Sequence, residues 1–166
     1  MGSAMYRIIF LAALVILPWT LPLASQDVPS PLQSQYEHEA DPVRKARLLV
    51  KLGDEQVGLA RIQSKSGDAE AALKTLERYR DEVLSTLKTL KATGVNAEKR
   101  PAGFKELQIS LRETTRRIDD LIFALPSDQQ QFFREVRSDL GKAQNDLFQL
   151  LFPRGPGQSP KRPNGQ

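Results

Sequence analysis

Apolar residues recur every seven positions in three separate stretches of this chain. The first set is Ala69, Leu76, Val83 and Leu90; the second is Phe104, Leu111, Ile118 and Leu125; the third is Phe133, Leu140 and Leu147. Seven residues make two turns of an α-helix, so each set lines one face of a rod. A companion line runs beside each: Ala72, Tyr79 and Leu87; Leu107, Thr114 and Leu121; Val136, Ala143 and Leu150. Charged residues such as Lys74, Glu77, Arg78, Asp81 and Lys88 fall on the outside. Rods with one oily face must bury it against each other. No strand-like alternation of useful length occurs, so the expected class is all-α.

A fourth helix precedes these three. Val43, Ala46, Leu49, Val50, Val57 and Ala60 form its stripe, beside a neighbouring line of Leu48, Leu52, Leu59 and Ile62. Asp41-Pro42 starts it, because Asp accepts from free N–H groups and Pro at the first turn loses no hydrogen bond. Ser66-Gly67-Asp68 is turn and cap chemistry, Gly94 ends the next helix, and Pro126-Ser127 separates the last two. Ser127 with Gln130 matches a capping box. The spacing predicts helices at 42–66, 68–93, 101–125 and 127–151, each about 37 Å long. Gly53 and Gly58 interrupt the first, which is expected to continue through them. Short connections make sequence neighbours antiparallel, giving an up-down-up-down four-helix bundle over 41–152. Pairing about Pro126 brings Phe123 near Phe132 and Phe133, so aromatics should close that end. The polar stretch 26–40, with Pro29 and Pro31, reads as an extended leader.

Residues 59–84 resemble one tetratricopeptide-type hairpin. Leu59-Ala60 stand where such repeats place Leu-Gly, Gly67-Asp68 where they turn, Ala72 at the small position and Tyr79 near the later packing position. The resemblance implies a helical-hairpin adaptor. The second helix continues beyond the repeat's length, Leu84 stands where the closing Pro belongs, and no second copy follows.

The chain begins like an export signal. Met5 to Arg7 is a short basic start, Ile8 to Leu17 is wholly apolar, Pro18 ends the run and Leu23-Ala24-Ser25 offers a cleavage point. Residues 1–25 are therefore expected to be a signal peptide. The alternative is an uncleaved membrane anchor, although Pro18, Trp19, Thr20 and Pro22 break the apolar run short of a full span. No cysteine and no Asn-x-Ser/Thr sequon occurs. With export, those absences point to a bacterial periplasmic or extracellular protein.

The formal net charge is +4. Arg7, Arg154, Lys161 and Arg162 account for all of it, so the stretch from Gln26 to Phe152 is formally neutral. A nucleic-acid partner needs a basic face; both signs are interspersed here, and none is expected. The tail, 153–166, is rich in Gly, Pro, Lys and Arg and is expected to be disordered. Its few cations allow only weak contact with an anionic surface.

Catalytic chemistry has few carriers. There is no cysteine nucleophile, and the single histidine, His38, lies in the leader. Glu37, His38, Glu39 and Asp41 could contact a metal only if structure imposed a geometry. The Glu-x-x-His spacing of a di-metal bundle is absent. No Gly-Lys-Ser/Thr follows Gly53 or Gly58, so no phosphate loop forms. The densest charged cluster is Arg116, Arg117, Asp119 and Asp120. Arg116 with Asp120, and Glu113 with Arg116 and Arg117, stand at spacings for surface ion pairs. No catalytic residue, cofactor or metal site is therefore assigned. Ile109 and Phe123 are surplus apolar residues and candidates for a docking strip. The expectation is a non-enzymatic exported module that binds a protein partner in the envelope. The alternative is a periplasmic metal-binding protein or enzyme using carboxylates without a recognisable motif.

Overall fold

The computed structural model describes residues 30–153. The expected signal segment, leader residues 26–29 and the tail beyond Pro153 lie outside the described residues. Five helices are present, with no strand among the described residues: α1 (Pro31–His38), α2 (Pro42–Lys65), α3 (Ala69–Ala92), α4 (Phe104–Ala124) and α5 (Gln130–Leu151). The fold of the described residues is all-α.

The leader is the first correction. Residues 31–38 are helical, not extended, because Ser30-Pro31 works as Asp41-Pro42 does. The Ser30 side chain accepts from Gln33 N at 3.1 Å and Pro31 occupies the first turn. Asp41 accepts from Arg44 N at 2.7 Å to start α2, and Asp68 from Ala71 N at 3.0 Å to start α3. α2 runs unbroken through both of its glycines. α4 begins at Phe104, later than Pro101, because Gly103 takes a φ of 83° that no helix continues. Glu106 then reaches back and accepts the Gly103 N–H at 2.8 Å. The Ser127–Gln130 box does not form, since residues 127–129 make a separate turn and Gln130 donates to the Leu125 carbonyl instead.

α2 packs on α3 and on α4, and α5 packs on α4 and on α3. These four interfaces close a ring. Cross-links give the directions. Gln63 meets Thr75 and Gln56 meets Glu82, so α2 and α3 are antiparallel. Arg47 meets Glu106 and Asp54 meets Arg117, so α2 and α4 are parallel. Asp119 meets Arg137 and Thr115 meets Gln144, so α4 and α5 are antiparallel. α3 and α4, consecutive in sequence, face each other across the ring's centre rather than side by side. There Tyr79 meets Thr114.

The core follows the sevenfold lines. Leu49, Leu76, Leu107, Leu111, Ile118, Leu140 and Leu147 are completely buried. Each such side chain contributes roughly 1.5–3 kcal/mol by leaving water. The companion line of α2 fails at its upper end, where Leu59 and Ile62 are exposed. α1 covers only the lower half of the α2–α3 face: its start, Ser30, reaches Glu55. Leu48, below that level, packs against the core, while Leu59 and Ile62 lie beyond the cover.

Candidate functional site

Ile109, Arg112, Arg116 and Phe123 stand on one outward face of α4, because the intervals of 3, 4 and 7 residues return to the same side of a helix. The face is about 21 Å long from Ile109 to Phe123. Ile109 is 47% exposed and Phe123 is 89% exposed. Phe123 therefore does not pack into the hairpin end as the pairing about Pro126 suggested. Phe133 is buried there, but Phe132 is 56% exposed across the turn. A helix turn that directs Leu121 and Ile122 inward must direct residue 123 outward. Ile109 and Phe123 do not form a continuous apolar strip, since Arg112 and Arg116 separate them.

The charged cluster is pulled apart by its neighbours. Arg117 reaches α2, donating to Asp54 Oδ1 at 2.7 Å and to the Asp54 carbonyl at 3.4 Å. Asp119 reaches α5 and accepts a fork from Arg137, with Nε–Oδ1 and Nη2–Oδ2 both 2.9 Å. These bridges are largely exposed, so each contributes at most about 1 kcal/mol. The helical pairs expected of Arg116 with Asp120, and of Glu113 with Arg116 or Arg117, are not formed. Arg112 and Arg116 make no ion pair among the described residues. They border a cleft of ≈ 670 Å³ between α4 and α5, together with Arg117, Asp119 and Arg137.

The acidic stretch around His38 is also dispersed. His38 Nδ1 lies 2.8 Å from the Ser34 carbonyl, Glu39 accepts from Asp41 N and pairs with Arg44, and Asp41 caps α2. Among the described residues no three His, Cys, Asp or Glu side chains are grouped to hold a metal ion.

The polar groups that are buried lie elsewhere, in two tyrosine-centred sites. Tyr79 is fully buried with its hydroxyl 3.0 Å from Thr114 Oγ1. Thr114 gives its own proton to the Ser110 carbonyl at 2.9 Å, so the phenol donates to the threonine. Burial pushes the Tyr79 phenol up to about 12. Tyr36, on α1, donates to the Glu82 carbonyl at 3.1 Å and lies 2.9 Å from Thr86 Oγ1. Burial raises its phenol too. Beside it, Gln33 and Gln56 both donate to the Glu82 carboxylate, at 2.8 and 3.0 Å. Burial raises Glu82 above the ordinary carboxylate value, and those two amide hydrogen bonds oppose the rise.

Sequence reasoning missed this second site because it placed the leader outside the fold. The available signal was Tyr36, a large ring two turns after a Ser-Pro cap.

No family model matches the chain, and no curated protein or solved structure matches it. Among the described residues no helix is long and apolar enough to cross a membrane.

Proposed function

We propose that this chain is a non-catalytic protein-interaction module, an up-down-up-down four-helix bundle exported to the cell envelope. Its partner is an amphipathic segment bearing carboxylates. The outer face of α4 carries this reading: two exposed apolar anchors, Ile109 and Phe123, flank two arginines that have no carboxylate partner among the described residues. Guanidinium groups recognise carboxylates in a planar fork. Arginine is among the residue types that dominate binding energy at protein interfaces, and phenylalanine is enriched in them. α4 packs on α2 and on α5 through its buried side, so the outer face is presented on a helix held from behind. Export rests on the basic start at Arg7, the apolar run Ile8–Leu17 and the small residues of Leu23-Ala24-Ser25.

A photoreactive residue at position 123 tests the reading in the native envelope. Cross-linking to a discrete partner at 123, absent from a probe at Lys88 on α3, is expected. R112E/R116E should abolish it without lowering Tm, since exposed changes of this kind move stability by no more than about 0.5 kcal/mol. Equal labelling at both positions, or labelling that survives the charge reversal, contradicts the proposal.

A further inference from the structure

We infer that Glu82, crowded by Glu37 and held by Gln33 and Gln56, is a proton-binding site that clamps α1 onto α2 and α3 when it takes up a proton and loosens α1 when it loses it. The hydrogen-bond count at this seam motivates the assignment. Gln33 Nε2 spends both hydrogens, on Glu37 Oε1 at 2.7 Å and on Glu82 Oε1 at 2.8 Å. Gln56 Nε2 spends both as well, on Glu82 Oε2 at 3.0 Å and on Gln33 Oε1 at 3.4 Å. No amide hydrogen is left, and the buried Gln56 Oε1 has no donor. Two carboxylates share one amide nitrogen, Glu37 on the exposed rim of a cleft and Glu82 partly buried behind it, so two like charges stand close together. Protonating Glu82 removes that repulsion and gives its carboxyl a hydrogen to donate.

Other charges around the seam do not supply the missing donor. On α2, Lys45 stands over the Tyr36 ring, 4.7 Å from its centroid, and Glu55 accepts from Ser30. On α3, Lys74, Glu77, Arg78 and Asp81 border the adjoining cleft. Arg78 favours the ionised form of Glu82, and Glu37 opposes it. Burial is the largest influence and favours the neutral acid; α1 contributes to it through Gln33, which lies on the Glu82 carboxylate. Undocking α1 returns Glu82 to water and to its ordinary value. Docking is therefore strongest below that ordinary value and weakens as pH rises through the higher, docked one. Release would uncover Leu48 and the lower α2–α3 groove.

The test follows amide exchange and the Glu82 carboxyl carbon by NMR in the full chain. An H38Q background removes the imidazole at the end of α1. The α1 amides should gain protection as pH falls, in step with the Glu82 carboxyl, by about tenfold for each unit separating docked and free values. Amides of α4 and α5 should not follow. E82Q should hold α1 protected at every pH, and E37Q should move the step to lower pH. Three results would overturn the inference: α1 protection that stays flat while Glu82 titrates, a step that survives E82Q, or an E82Q chain whose α1 is open throughout.

Discussion

Two tyrosines each set a hydroxyl on a threonine, at 3.0 Å for Tyr79–Thr114 and 2.9 Å for Tyr36–Thr86, yet the two pairs hold different parts of the molecule. Tyr79 sits at the ring's centre among Leu49, Leu76, Leu111 and other wholly buried side chains. Tyr36 sits at a seam where the neighbours are Gln33, Gln56 and Glu82. The hydrogen bond is nearly the same; the medium differs. An apolar surround makes the first pair inseparable from the fold. A polar, acceptor-rich surround ties the second to the charge carried by Glu82. The contact geometry thus says little about strength until the surroundings are counted.

Removing each ring breaks the comparison most directly. Tyr79→Ala should cost about 3–5 kcal/mol in chemical denaturation, the range for emptying a large buried aromatic site. Tyr36→Ala should cost less globally and abolish exchange protection in α1 alone. Equal global losses would mean that α1 is part of the core and not a clamp on it.

Alkaline titration sharpens the same contrast. Tyr79 has its phenol raised from 10.0 to about 12. The stability this lends is complete below pH 10, the unfolded value, and is lost as pH rises through about 12. The full difference is roughly 2–3 kcal/mol. Denaturation midpoints should therefore fall steeply between those pH values, and Tyr79→Phe should flatten that fall.

How far the sequence carries this contrast depends on the site. Sevenfold spacing placed Leu76, Leu111, Ile118, Leu140 and Leu147 in the core because burial repeats with the helix period. Caps at Asp41 and Asp68 were equally legible, since they need only local chemistry. Phe123 was misplaced because an apolar residue near a turn can point either way, and helix phase decides it. Ion pairs were misassigned because local spacing cannot see that Asp54 and Arg137 come from other helices. The α1 seam was lost because its hydrogen bonds join residues far apart in sequence, such as Gln33 and Glu82. On the α4 face, Ile109 and Phe123 were found by being surplus to the stripe, whereas the unpaired state of Arg112 and Arg116 appears only in three dimensions.

Gly53 explains how the core tyrosine fits. A Cβ there would stand 2.6 Å from Tyr79 Cε2 and 3.0 Å from Cζ. The ring is walled in, so it cannot step aside. Gly53→Ala should therefore destabilise by about 1–2 kcal/mol, overpacking outweighing the gain in helix propensity. In a Tyr79→Leu background the obstruction is gone, and the same change should become stabilising. A sign that does not reverse would separate Gly53 from the tyrosine.

Gly58 supplies the smallest effect and the control. It lies five residues further along α2, and a Cβ there would meet nothing within 4 Å. Its backbone is ordinary helix, so no positive φ demands glycine. Only the cost of ordering a flexible backbone remains, and Gly58→Ala should raise stability by about 0.5–1 kcal/mol. Because that gain needs no rearrangement around it, it should be the same in the native chain and in the Tyr79→Leu background. Additivity at position 58 beside strong coupling at 53 would show that glycine in α2 serves the tyrosine at one turn only. A Gly58→Ala gain that vanishes would instead mean that another side chain uses the space it leaves.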